Sequence, residues 1–144
     1  RDFIMLKNIF EIAGTALNAQ TIRMNTTASN LANASSVSPT EEEAFRAKRP
    51  IFRALVEQAD LNQGFNTLGG VKVKDVVDST EPVRKVLDPG NPEANEDGYV
   101  FLSNVNEVTE MIEMVAASRS FQNNVEVVTT ARQLMMRTLE IAKA

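Results

Sequence analysis

The N-terminal end of the chain carries apolar side chains at regular seven-residue intervals, at Phe3, Phe10, Leu17, Met24 and Leu31. The positions three residues further on are Leu6, Ala13, Gln20, Thr27 and Ala34, and eight of the ten residues are apolar. A chain that is 43% apolar would give about four by chance. Sustained 3,4 spacing is typical of a coiled-coil seam. The pattern predicts a helix over residues 4–34.

The C-terminal end repeats this pattern, again with eight apolar residues among ten. Its seam positions are Met111, Met114, Ser118, Phe121, Val125, Val128, Arg132, Met135, Leu139 and Ala142. Asn104 and Glu107 have the residue types of an N-cap and of the third helical position. We therefore predict a second helix over residues 105–142. At about 1.5 Å per residue, both helices are longer than a compact chain of this size is wide. Since the middle joins the end of one helix to the start of the other, we expect an elongated molecule with the helices paired antiparallel.

Residues 35–103 have a different character, because they contain all five prolines and 20 of the 34 charged residues. Short runs rich in β-branched and aromatic residues lie between turn signals at Gly69-Gly70 and Asp97-Gly98. These runs are Ile51–Val56, Val71–Val77, Val83–Leu87 and Tyr99–Leu102. The predicted fold class is α+β, with two long terminal helices paired as an antiparallel coiled coil and a small central β subdomain. The predicted domains are residues 1–34, 35–103 and 104–144.

The composition restricts the chemistry, because histidine, cysteine and tryptophan are all absent. This excludes Ser-His-Asp and Cys-His nucleophiles and the usual zinc sites. A net charge of −4 argues against binding to nucleic acid, and no stretch is apolar enough to span a bilayer. Glu41-Glu42-Glu43 and the acidic stretch 88–98 are interpreted as solvated loops and turns. We predict no catalytic, cofactor-binding or metal site.

The helices carry few charges, and those in residues 1–34 are Arg1, Asp2, Lys7, Glu11 and Arg23. A polar belt of small neutral residues surrounds Arg119 in the second helix. Low charge on long helices favours faces that pack against other proteins as well as against each other. We predict that the seam forms subunit contacts through Phe10, Leu17, Met24, Leu31, Met114, Phe121, Val125, Val128 and Met135.

Several segments resemble a known family. Ala28-Ser29-Asn30-Leu31-Ala32-Asn33 is similar to the signature of the axial proteins of the bacterial flagellum, which form its rod and hook. The segments 8–17, 69–71, 88–92, 98–100 and 117–127 together resemble the C-type proximal rod proteins of the basal body, in order along nearly the whole chain. The signature positions are Ala28, Asn30, Leu31, Asn33 and Arg119.

The resemblance implies a structural subunit without enzymatic activity or cofactor. Members of the family are exported by the flagellar type III apparatus and polymerise through their terminal helices into the helical rod. That rod crosses the periplasmic space and transmits torque. The implied partners are copies of the chain, other rod proteins, the inner-membrane ring and rod-base adaptor proteins, and the export apparatus. Two alternatives remain open from the residues alone: a peptidoglycan-cleaving enzyme of the basal body and a soluble coiled-coil adaptor.

Overall fold

The computed structural model describes residues 2–55 and 69–143, with side chains from Lys7 onward. Helix α1 spans Asp2–Ala32 and helix α2 spans Glu107–Lys143, which confirms the two predicted terminal helices. Between them the described residues form five strands: β1 Val37–Ser38, β2 Lys48–Ala54, β3 Val71–Asp78, β4 Arg84–Leu87 and β5 Tyr99–Leu102. The fold class is α+β, as predicted. In the part of the chain described, no helix is both long and apolar enough to cross a membrane.

The strands form two small sheets. β5 lies between β1 and β4 in an antiparallel sheet, with Lys85 opposite Phe101 and Val37 opposite Leu102. β2 and β3 form a separate two-stranded sheet. The four predicted runs all contain strands, although β2 begins three residues before the predicted start and Val56 lies outside the described residues. β1 is absent from the prediction because two residues are too few to show alternation.

Helix α2 begins at Glu107 because Asn106 caps it. The Oδ1 atom of Asn106 accepts a hydrogen bond from the Thr109 N–H at 3.1 Å. The prediction that Asn104 is the N-cap was wrong. The Asn104 side chain instead accepts from the Ala47 N–H and donates to the Glu81 carbonyl, both at 2.7 Å. Asn104 therefore connects two segments of the middle of the chain.

The described chain divides into two compact units. The first, here called the middle unit, contains Arg23–Ile51 and Asp75–Ala116. The second, here called the terminal unit, contains Arg1–Ile22, Phe52–Lys74 and Ala117–Ala144. Each unit thus combines helical and β residues.

Small side chains form the core of the middle unit. Ala34, Ala47 and Val105 are buried together, and Phe45 packs against them. Small residues bring α1, the start of β2 and the segment before α2 close enough for direct hydrogen bonds between them.

In the terminal unit, α1 approaches the start of β3 closely. The Val71 N–H donates to the Thr15 hydroxyl at 3.2 Å. A Cβ atom placed on Gly70 would lie 2.9 Å from the same hydroxyl oxygen. Because real Cβ atoms do not tolerate that distance, the contact requires glycine at position 70.

Candidate assembly surface

A polar junction with two fully buried members lies in the middle unit. Glu110, in the first turn of α2, has no exposed surface, and neither has Asn30 of α1. The Asn30 amide donates to the Glu110 carboxylate at 3.0 Å, and Arg49 of β2 donates to its other oxygen at 2.5 Å. A buried carboxylate needs such partners, because its desolvation is otherwise costly.

The same Asn30 side chain also holds the backbone of β2. Its Oδ1 atom accepts from the Lys48 N–H at 2.8 Å, and its Nδ2 atom donates to the Lys48 carbonyl at 2.9 Å. One amide side chain therefore satisfies a strand residue as a neighbouring strand would. Through Asn30 and Glu110, the junction joins α1, β2 and α2.

A second ion pair joins the helices within this unit. The Arg23 side chain of α1 donates to the Glu113 carboxylate of α2, with the Nε atom at 3.1 Å. Arg23 is one-quarter exposed and Glu113 somewhat more. The contact is partly protected from water and is screened less than a surface pair.

A series of less exposed positions follows a 4,3 spacing along α2, namely Glu110, Met114, Ala117, Phe121, Asn124, Val128, Ala131 and Met135. Before Phe121 the less exposed surface is wider and also includes Glu113, Ala116, Ser118 and Ser120. Four predicted interface residues are in the 4,3 series, all half-buried. Val125 is not, since 43% of its surface is exposed. At every second position of this series, the less exposed residue is the one that precedes the predicted seam residue. Asn124, for example, is less exposed than Val125, which the sequence favours.

In α1, the predicted interface residues Phe10, Leu17, Met24 and Leu31 are half-buried. The buried residues at the companion positions are smaller, and they are Ala13 and Thr27 in the helix and Ala34 just after it. A seam of small residues permits close approach but buries little apolar area per residue.

Large apolar side chains lie exposed along α2. In the middle unit these are Val108, Met111, Ile112 and Val115, at the spacing of one helical face. In the terminal unit they are Val125, Val127, Leu134, Met136, Leu139 and Ile141. Contiguous exposed apolar surface of this kind marks a surface that binds another protein.

The signature residues do not form one site. Asn30 is buried in the polar junction and Leu31 is half-buried, whereas Ala28 and Arg119 are exposed. The Asn33 amide donates only to the Ser29 carbonyl in its own helix, at 2.8 Å.

Glu110 and Arg49 were not predicted to join Asn30 in the polar junction. Glu110 lies one residue before the predicted seam position Met111, and its burial is known only from the structure.

Comparison with known proteins identifies the family. Residues 10–38 match the family described as "Flagella basal body rod protein", and residues 96–141 match the one described as "Flagellar basal body rod FlgEFG protein C-terminal". The flagellar basal-body rod protein FlgC of Escherichia coli O6:H1 is 47% identical over 138 residues, covering 96% of this chain and 98% of that protein. This chain belongs to the FlgC family of flagellar basal-body rod proteins. FlgC of Salmonella typhimurium is 46% identical, and FlgC of Yersinia enterocolitica is 43% identical, both over the same shares of each chain.

Membership in the FlgC family confirms the resemblance drawn from the sequence. The chain is a structural subunit of the flagellar basal-body rod and not an enzyme. As a rod protein it assembles with other rod proteins. The exposed apolar surface of α2 therefore belongs to a protein that works as part of an assembly.

Proposed function

We propose that this chain polymerises through its terminal helices into the helical rod, and that the rod transmits torque across the periplasmic space. The observation that carries the proposal is the apolar character of α2 between Val125 and Ile141. Here apolar residues occupy the less exposed seam and also two other faces of the helix. Glu126, Gln133 and Glu140 lie on the remaining, polar face. The apolar surface is therefore wider than the single stripe of an ordinary surface helix, which favours packing against more than one neighbour.

The two exposed faces are distinct on a helical projection. Val127, Leu134 and Ile141 repeat every seven residues on one face. Val125, Met136 and Leu139 share another. In this proposal each apolar face packs against a helix of a different neighbouring subunit in the rod.

The helices are proposed to pair antiparallel as a coiled coil. Two contacts within the middle unit support this direction. Arg23 contacts Glu113, and Asn30, further along α1, contacts Glu110, nearer the start of α2. In these contacts the residue numbers rise along α1 while they fall along α2, which indicates that the two helices run in opposite directions. In this proposal residues 1–34 and 104–144 form the assembly part and residues 35–103 face outward.

Further partners follow from the resemblance. We expect copies of the chain and other rod proteins as lateral neighbours, and the inner-membrane ring and rod-base adaptor proteins at the base. We also expect export by the flagellar type III apparatus. A seam of small residues supports this route, because weak pairing within one chain suits passage in an unfolded state.

The test is the substitution Leu134→Ser on the exposed face, with Gln133→Ser as a matched control on the neighbouring exposed position. We expect Leu134→Ser to reduce strongly the amount of this chain in isolated basal bodies and the diameter of swimming rings. Gln133→Ser should behave as the unmodified chain. Immunoblots of whole cells establish equal protein levels. Normal basal bodies with Leu134→Ser would contradict the role of this face.

A further inference from the structure

Three cations line one shallow groove in the terminal unit. Arg53 of β2 and Lys72 and Lys74 of β3 surround a cavity of about 300 Å³, together with Ala54 and Leu55. Within residues 2–55 and 69–143, none of the three has an ion-pair partner. We call this surface the basic groove.

The strand pairing brings these cations together. The Leu55 N–H donates to the Gly70 carbonyl at 2.8 Å. Because alternate residues of a strand share a face, Lys72 and Lys74 lie on the same face of β3, and Arg53 of the paired strand borders the same groove. Like charges gathered in one groove repel each other. An anionic group in the groove would remove that repulsion.

The same chain presents a matching anionic surface in its middle unit. The loop between β4 and β5 carries four exposed carboxylates, at Asp88, Glu93, Glu96 and Asp97. Within the described ranges, none of them forms an ion pair. The loop is held by its own backbone, since the Asp88 N–H donates to the Gly98 carbonyl and the Gly98 N–H donates to the Asn95 carbonyl, both at 2.9 Å. We call it the acidic loop.

We propose that the acidic loop of one subunit docks in the basic groove of a second copy of this chain. The proposal rests on the proposed function, since it names one contact by which rod subunits recognise each other. Four carboxylates meet three cations, and neither side has an ion-pair partner among the described residues of its own chain. Because each copy carries both surfaces, the contact is head-to-tail and can continue from subunit to subunit. Such charged contacts set the register and the choice of partner.

Charge reversal tests the pairing in cells that carry each variant as their only copy of the chain. Lys72→Glu with Lys74→Glu, and separately Glu93→Lys with Glu96→Lys, should each lower incorporation into basal bodies by roughly tenfold. All four changes in one chain should restore it, because every contact then has opposite charges again. Glu42→Lys with Glu43→Lys, at two exposed positions, is the matched control for a change of net charge and should assemble normally.

Cysteine cross-linking tests the same contact independently of the charge reversals. The chain has no cysteine of its own. Two copies, one with Lys72→Cys and one with Glu96→Cys, are expressed together in one strain and oxidised in isolated basal bodies. We expect a disulfide-linked species of twice the chain's mass. Lys72→Cys with Glu42→Cys should give none.

The outcomes separate this inference from the proposed function. If the unmodified chain is present in basal bodies but the four-fold variant is no better than the pairs and no cross-link forms, the docking proposal is wrong and the rod function stands. A cross-link to a different rod protein would also overturn the proposal. The proposal would also be wrong if the purified chain cosedimented with peptidoglycan sacculi and the variant Lys72→Glu with Lys74→Glu did not. Absence of the unmodified chain from basal bodies would instead overturn the proposed function.

Discussion

The two units of the molecule differ in how they satisfy their side chains. In the middle unit, the buried polar residues Asn30 and Glu110 bond to each other, and the partly exposed Arg49 also donates to Glu110. In the terminal unit, α2 leaves large apolar side chains such as Leu134 and Ile141 exposed, at 53% and 77%. The polar junction, which only the middle unit has among the described residues, fixes one register inside the subunit. The exposed apolar residues, which α2 carries in both units, leave surface for neighbours. A rod subunit needs both.

The largest expected effect concerns the polar junction. Asn30→Ala should lower the free energy of unfolding by about 2–4 kcal/mol, because the Lys48 N–H and carbonyl lose their hydrogen bonds to Asn30 and the buried Glu110 carboxylate keeps only Arg49. Urea unfolding of the purified chain measures it. Asn33→Ala, in the same signature, is the control and should cost less than about 1 kcal/mol, since Asn33 bonds only within its helix. If the two variants lost the same free energy of unfolding, the polar junction would contribute no more to stability than a single hydrogen bond at the end of α1.

The terminal unit is tested at two glycines with opposite expectations. Gly70→Ala should lower the free energy of unfolding by about 1–3 kcal/mol, because the new Cβ would meet the Thr15 hydroxyl. Gly14→Ala should raise it by about 0.5–1 kcal/mol, since the added methyl group in α1 meets nothing within 4 Å. Thermal unfolding of both variants decides the matter. A stabilising Gly70→Ala would refute the close approach.

The contrast between folding and assembly is sharpest at Val125. Because its side chain is 43% exposed, Val125→Ala should change the free energy of unfolding of the purified chain by less than about 0.5 kcal/mol. The same change should lower the yield of basal bodies, because the side chain lies on a face proposed to meet a neighbour. Urea unfolding of the purified variant gives the free energy of unfolding, and basal-body preparations from the strain that carries it give the yield. If Val125→Ala clearly lowered the free energy of unfolding but left the yield of basal bodies unchanged, Val125 would contribute to folding and not to assembly.

The smallest effect is expected at Glu42, whose exposed side chain lies in the turn before Ala44. Glu42→Gln removes one surface charge, which is worth less than about 1 kcal/mol. Swimming and basal-body yield should both stay at the level of the unmodified chain. Reduced swimming at normal protein levels would show that this carboxylate has a partner in the rod.

The sequence by itself determined the two long helices, most of the strands and the family. The helices were readable because their 3,4 spacing continues over more than four heptads, which chance does not produce. Strand β5 was readable to the residue, since Tyr99–Leu102 is bounded by a turn on one side. The signature around Asn30 pointed to the family before any geometry was known.

Only the tertiary structure decided which helix positions are buried and which polar residues meet. Asn124 lies where Val125 was favoured because burial depends on what packs against the helix, and hydrophobicity alone cannot resolve a one-residue shift in phase. Asn104 does not cap α2, because its side chain forms hydrogen bonds with two distant backbone groups, the Ala47 N–H and the Glu81 carbonyl. Glu110 meets Asn30 across 80 residues of chain. Contacts between residues so far apart leave no periodic trace in the sequence, because they depend on how the elements pack.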